Sequence, residues 1–454
     1  MVYTNLLNST KMKTVLDQHS KVHSNNLMSH HKYMTQLCVG CGICLGVCPS
    51  NAVNRRIDNG LVTVEFDYTL CIKCGKCVEA CPPLFYLYKG HPRYFETIER
   101  IEKIFFGYST NHDIRFHAAS GGVVTSLLLY MLKHKIVDEV LIVRMKGFSV
   151  EVLLTDNEDD VISAQGSIYF KTFSLCMLPE IVHCIKKGSK LCIVGLPCQI
   201  SSVKRVLEDL SDKAYFIALV CSHLNEIWYV EHILAKYLPK NAKVLAMSAR
   251  RDGWPGTFKV SFIQEDGKFR KLDLRLGQFF GPLPLLDVSA PLGCLLCIDH
   301  LASEADIVVG DAWHPKFIGK DSTGVSIIIA RTKKGLSLIE SAVKDRRVYV
   351  QTAKKQDLLL TQRHNIIESL QYAPFRQHLH RHSIEAIYKL KEIDKLAIAL
   401  LLVIRKLLFK YKTLRRLLDT HPVKEFFYVI LWLLSKFEYA KIQSMLLMDK
   451  QDAL

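Results

Sequence analysis

A chain of 454 residues holds enough material for two or three domains. With 49% apolar and 23% charged residues it has a globular composition, which excludes wholesale disorder. Fifteen cysteines behind a polar, signal-free start exclude a secreted disulfide scaffold and point to reduced thiols in a cytoplasmic protein. The formal charge of +16 calls for an acidic partner, but the basic residues are dispersed and no nucleic-acid motif accompanies them, so nucleic acid is not expected.

Residues 1–34 are polar, and His19, His23, His30 and His31 recur at no ligand spacing, so a flexible leader is expected. Residues 35–90 are Cys-rich and internally repeated. "CVGCGICLGVCP" (38–49) and "CIKCGKCVEACP" (71–82) share two-two-three spacing and a trailing proline. Two such runs form the pattern of a two-cluster ferredoxin, in which the fourth Cys of each run serves the other cluster. Cys38, Cys41, Cys44 and Cys81 are therefore assigned to one [4Fe–4S] cluster, and Cys71, Cys74, Cys77 and Cys48 to a second. Gly40, Gly42 and Gly75 let the backbone turn tightly and leave amides for cluster sulfurs. The first run is expected to be the entry for electrons.

From residue 91 to 380 the pattern is α/β. "VLIV" (140–143), "LCIVG" (191–195), "YFIALVC" (215–221) and "ADIVVG" (305–310) read as strands, and a helix is expected over 172–187. Ser120, Gly121 and Gly122 precede an amphipathic helix, a place suited either to a phosphate or to a plain cap. Cys176, Cys184 and Cys192 read as small buried hydrophobes. Cys198 follows one strand and Cys221 ends the next, on the edge where open α/β sheets bind ligands. With the Cys294–Cys297 pair they offer four thiols for a third [4Fe–4S] cluster or for zinc, while a rival reading makes Cys198 a nucleophile.

Residues 381–454 read as a basic amphipathic helical extension. Its apolar runs are about nine residues long against the ~20 that a span requires. Arg405, Lys406 and Lys410 interrupt the first run, which fits peripheral membrane contact, a partner-docking face or packing on the chain's own core.

The double cysteine motif, "SGGVVTSLL" (120–128), "GSIY" (166–169), "GLPCQI" (195–200), "ALVCS" (218–222), "RRDGWPG" (250–256), "CLLCID" (294–299), "ADIVVGDAW" (305–313) and "GVSIIIART" (324–332) occur in this order. Together they resemble the coenzyme F420 hydrogenase/dehydrogenase beta-subunit family, in the branch with a fused two-cluster ferredoxin, over residues 36 to 340. The resemblance implies an α+β ferredoxin-like module followed by an α/β flavin-binding domain. It implies FAD, contacted by Ser120, Gly121, Gly122 and Thr125, with Gly166, Ser167 and Tyr169 lining the same cleft. It also implies that Cys198, Cys221, Cys294 and Cys297 hold a cluster beside the flavin. Relatives commonly carry Lys where this chain has Ile168, which sets F420 binding in doubt unless Lys171 substitutes. Asp306, Asp311 and Trp313 either line the site or close a strand and turn.

The reading that follows is an iron–sulfur flavoprotein oxidoreductase acting on a small organic molecule, with a ferredoxin or dehydrogenase subunit as redox partner. The alternatives are a non-catalytic electron-transfer subunit and a metal-stabilised nucleic-acid binder.

Overall fold

The computed structural model describes residues 27–367 except 59, 90–97, 99, 148, 277 and 279–288. The 381–454 extension expected to be helical lies outside the described residues, as does most of the expected leader. Among the described residues no helix is long and apolar enough to cross a membrane.

Helix α1 (Leu27–Gln36) opens the described chain. Residues 27–34, expected as leader, are therefore structured. His30, His31 and Met34 are buried, and the His31 ring stacks on Phe66 at 3.8 Å. Each cysteine run then builds one short helix, α2 (Ile43–Val47) and α3 (Lys76–Ala80). Each is preceded by a left-handed glycine, Gly42 at φ 85° and Gly75 at φ 75°, and ends on an extended cysteine, Cys48 or Cys81. Between the runs lies the antiparallel hairpin β1 (Val53–Asp58) and β2 (Leu61–Phe66). Helix α4 (Pro82–Lys89) starts on the proline of the second run.

In chain order the following strands are β3 (Lys103–Ser109), β4 (Glu139–Lys146), β5 (Ser149–Thr155), β6 (Leu191–Gly195) and β7 (Ala214–Leu219). Next come β8 (Lys243–Arg251), β9 (Thr257–Ile263) and β10 (Phe269–Arg275), an antiparallel three-stranded sheet. β11 (Ile307–Asp311), β12 (Ser326–Ala330) and β13 (Val348–Ala353) complete the set. The main sheet has eight strands in the order β13–β3–β12–β11–β7–β6–β4–β5. Its centre, β11–β7–β6–β4, is parallel, and the flanking pairs are antiparallel. These four central strands are the four apolar runs read from the sequence. Strands buried on both faces read as unbroken apolar runs rather than as an alternation.

Helices cover both faces. On one side α5 (Val123–Lys133) and α10 (Lys333–Lys344) pack through Leu127, Met131, Leu338 and Ile339 onto Val140, Cys192 and Ile217. On the other, α6 (Leu178–Lys186) and α7 (Pro197–Leu207) cover Leu141, Ile193 and Phe216. The same apolar cluster continues without a break into Leu37, Val39, Ile43, Val78 and Leu84 of the cysteine-rich module. The helix expected over 172–187 is shorter, because Pro179 lacks an N–H and suits a first turn. Ser174–Met177 is instead a 3₁₀ turn. Its Cys176 is exposed, which corrects the expectation of a buried thiol, while Cys192 is buried and Cys184 half-buried.

The module and the sheet meet at glycines. A Cβ on Gly293 would lie 2.2 Å from the Leu37 carbonyl oxygen, a backbone atom that cannot turn aside. Gly293→Val is expected to cost about 1 to 3 kcal/mol by overpacking, read by urea unfolding. At Gly267, where φ is +74° and no atom lies within 4 Å, the turn-tolerant Gly267→Asn is expected to change stability by less than about 0.5 kcal/mol.

Candidate redox site: three cysteine sets at one sheet edge

In the structure cysteines of the two runs come close enough to act on one another's charge. Burial pushes the Cys44 thiol well up, and Cys41, Cys38, Cys81 and Cys77 raise it further. Cys77 is pushed up to about 12, by burial first and then by Cys74, Cys48 and Cys71. Cys81 of the second run therefore lies near Cys38 and Cys41 of the first, Cys48 of the first lies near Cys77 of the second, and Cys77 is also near Cys44 and Cys81. Amides already point at sulfur: Gly40 N–H donates to Cys38 Sγ at 3.4 Å and Ala52 N–H to Cys48 Sγ at 3.2 Å. Thiolates packed this closely destabilise one another, and a bound cationic metal relieves that repulsion.

The two sets differ in their access to water. Cys41, Cys44 and Cys81 are buried, whereas Cys74 is exposed. The first run therefore supplies most of the inner set, and the solvent-facing set belongs to the second run. The physical reason is contact with the α/β domain: Phe173 N–H donates to Gly40 O at 2.8 Å and Leu175 N–H to Cys41 O at 2.9 Å.

Cys198 lies in the first turn of α7, just beyond β6, and Cys221 lies just beyond its parallel neighbour β7. Cys294 falls in the short helix α9 (Leu292–Leu295), and Cys297 just after it. All four thiols line one pocket together with Val39, Pro83, Tyr86 and Pro197. Cys198 is driven well above the ordinary thiol range by burial, followed by Cys41, Cys297, Cys221 and Cys294. The presence of Cys41 in that field puts the inner set next to the third. Burial of Cys198 outweighs the helix N-terminus, so the thiol lacks the lowered pKa that a nucleophile needs. His300, invisible as a functional residue in the sequence, places Nδ1 2.7 Å from the Cys221 carbonyl oxygen and Nε2 3.1 Å from the Cys297 carbonyl oxygen, and a neutral ring, with one N–H, donates to one of the two. Among the described residues no three His, Cys, Asp or Glu side chains converge on a point that one metal ion could occupy. A cubane asks for a wider set, because each thiolate binds a different iron.

Two of the segments expected at a flavin, through Tyr169 and through Ala119 beside Ser120, meet at Arg250. This residue sits at an irregularity of β8 between Ala249 and Arg251, with φ 57°, and such a bulge re-aims a side chain. Arg250 donates two hydrogen bonds to the Asp311 carboxylate at 2.6 and 2.7 Å, one to Ala119 O at 2.8 Å and one to the Tyr169 hydroxyl at 3.3 Å. Trp254 Nε1–H also donates to Asp311, and its ring lies 4.7 Å from that of Trp313. Asp306 instead accepts the Phe216 N–H and the Thr332 hydroxyl, a structural role. Ser120 Oγ–H donates to Val325 O, and the Gly121 amide donates to Ser326 Oγ. Gly122 begins α5 with φ 74° and no side-chain cap, and Thr125 is buried one turn on. At Gly166 a Cβ would meet Ala249 O at 2.7 Å, the carbonyl to which Ser167 N–H donates at 2.8 Å.

Two further polar features escaped the sequence reading. His31 Nε2 lies 3.6 Å from Cys77 Sγ, and burial, with His30, lowers its pKa to about 4. Lys171 donates to Glu226 Oε1 and to the Val62 carbonyl, both at 2.6 Å. Both side chains of that pair are only 4% exposed, so Lys171 is committed and does not replace the missing lysine at 168.

Comparison with known proteins identifies the two halves of the α/β region and the cysteine-rich module. Residues 104–178 match the family model described as coenzyme F420 hydrogenase/dehydrogenase, beta subunit N-term, and residues 188–356 match the corresponding C terminus. Residues 30–82 match a 4Fe-4S dicluster domain. A coenzyme F420-dependent sulfite reductase from Methanocaldococcus jannaschii is 24% identical over 66% of this chain and 45% of its own length. The chain thus spans less than half of that relative. A coenzyme F420 hydrogenase subunit beta from Methanothermobacter thermautotrophicus is 24% identical over 52% of this chain and 79% of its own. A component of the F(420)H(2) dehydrogenase of Methanosarcina mazei is 25% identical over 62% and 79%, respectively.

Lys171→Met strands a buried carboxylate and is expected to cost about 3 to 5 kcal/mol in chemical denaturation. Adding Glu226→Leu should recover most of that loss, and failure to recover it would show that the pair is not the source.

Proposed function

The chain belongs to the coenzyme F420 hydrogenase/dehydrogenase beta-subunit family and carries a 4Fe-4S dicluster domain, and from that premise we propose that it is an iron–sulfur flavoprotein oxidoreductase. It would pass electrons between [4Fe–4S] clusters and FAD, and on to a small organic acceptor or in reverse. The observation that supports the proposal is that Val39, between Cys38 and Cys41 in the first run, lines the same pocket as Cys198, Cys221, Cys294 and Cys297.

In this reading Cys38, Cys41, Cys44 and Cys81 hold the inner cluster, and Cys71, Cys74, Cys77 and Cys48 the outer. Cys198, Cys221, Cys294 and Cys297 hold the third. Bound there, the clusters would supply one-electron transfer, and a flavin would convert paired single-electron steps into a two-electron one. The chain's own part is positional. The Gly40 and Ala52 amides favour charged sulfur. Val39, Pro83 and Pro197 wall the third set. His300 stands between the two loops of that set, against a carbonyl of each.

For the flavin, Ser120, Gly121, Gly122 and Thr125 are proposed on one side and Gly166, Ser167 and Tyr169 on the other. The start of α5 would present its free amides to a phosphate. Arg250, neutralised by Asp311, orients Tyr169 and the Ala119 turn rather than pairing with the cofactor. The relatives' printed names suggest F420 or a hydrogenase-type subunit as the exchange partner. One observation favours the second reading, a non-catalytic electron-transfer subunit: the Ser120 hydroxyl and Gly121 amide are already spent on internal hydrogen bonds.

Iron, sulfide and flavin counted on anaerobically purified protein test both readings. Three cubanes predict about 12 Fe per chain, falling to about 8 in Cys198→Ser. A count near 8 that Cys198→Ser does not change rejects the third cluster. Protein with full iron and no flavin rejects the flavoenzyme and leaves the electron carrier.

A further inference from the structure

The two cysteine runs are related by a shift of 33 residues, and the relation extends to the residues around them. Leu37 corresponds to Leu70, Val39 to Ile72, Gly40 to Lys73 and Ile43 to Lys76. Their fates differ. Leu37 is 0% exposed and Leu70 50%, Val39 5% and Ile72 64%. In the first run this face is covered by the chain itself: Gly293 packs on Leu37 and Val39, Lys171 on Gly40, and Phe173 on Gly42. The second run presents the same apolar positions to solvent, with exposed Tyr68 beside them and the exposed thiol of Cys74 in their midst.

The substitutions also carry charge. Lys73 holds a left-handed conformation, φ 57°, where its twin is the glycine that Lys171 presses upon. Asp67, the nearest preceding carboxylate, accepts the Thr69 N–H and hydroxyl at 2.8 and 2.5 Å, and against this one charge stand Lys73 and Lys76. The rim is therefore apolar and cationic. A second copy of a chain with formal charge +16 would be repelled there, whereas an acidic surface would be attracted.

We propose that the loop 67–76 is the docking surface for an acidic one-electron carrier protein, which would be seated over Cys74 as the α/β domain is seated over Cys41. This deepens the redox reading and rests on Cys48, Cys71, Cys74 and Cys77 being a cluster site. The contact is small and transient, as redox encounters are.

The probe is a small acidic two-[4Fe–4S] ferredoxin, titrated calorimetrically into the full-length protein at low salt after iron and sulfide have been counted. Binding should weaken at least tenfold in Lys73→Glu/Lys76→Glu and also in Ile72→Ser, with iron content unchanged, and it should weaken with added salt. Equal binding by wild type and variants overturns the proposal. Absence of binding, with the amides of 67–76 already protected from hydrogen exchange, assigns the face to another segment of this chain and overturns it as well. A shortfall of iron in a protein whose isotherm still responds to the variants rejects the cluster reading and leaves the surface standing.

Discussion

The buried ion pair between Lys171 and Glu226 is the contact on which the architecture turns. Taking both charges out of water is costly, and the cost is offset only because the ammonium also meets the Val62 carbonyl and the carboxylate also accepts the Val62 N–H. Val62 belongs to the hairpin of the cysteine-rich module, while Lys171 and Glu226 belong to two segments of the α/β domain. Those segments run side by side, marked by a parallel bridge between Phe170 and Asn225. Three places radiate from that junction: Gly40 and the inner cysteines under Lys171, Cys221 five residues before Glu226, and the Tyr169 hydroxyl at Arg250. A single salt-linked seam thus ties the β1–β2 hairpin, the Gly40 turn and the segment after Cys221 to one another.

The parallel centre of the sheet was legible because strands buried on both faces cannot hide polar residues. β6 reads "LCIVG" and β11 "IVVGD", and nothing else fits such runs between turn signals. The antiparallel flanks and the β8–β10 sheet were less visible, since strands such as "FRKLDLR" alternate with solvent and resemble ordinary surface. Among the cysteines, regular spacing marked the two runs of the dicluster module, and the strand ends marked where Cys198 and Cys221 lie. Lys171 was misread because its partner lies 55 residues away, and no local pattern announces a buried pair of that kind. His31 was lost in a polar stretch whose burial depends on Phe66, contributed by a strand more than 30 residues downstream.

Electrostatics separates the cysteines from the region around Tyr169. Inward, thiols are packed among apolar side chains and raise one another. At the sheet edge, Arg250 and Asp311 cancel each other, so the region around Tyr169 is polar without carrying net charge. The bulge in β8 is what allows this, since a regular strand would alternate Arg250 to the other face of its sheet. Fold and charge placement are in this sense one decision.

The close approaches at Gly40 and Gly293 bear on how such a chain could have been assembled. A two-cluster module borrowed from a free ferredoxin could not simply be appended, because any side chain at either position would collide with the other domain. The joint must have been refined on both sides together, and its apolar core now runs through without a boundary. The module is therefore not an interchangeable cassette, since a substitute with a side chain at position 40 could not seat against Lys171.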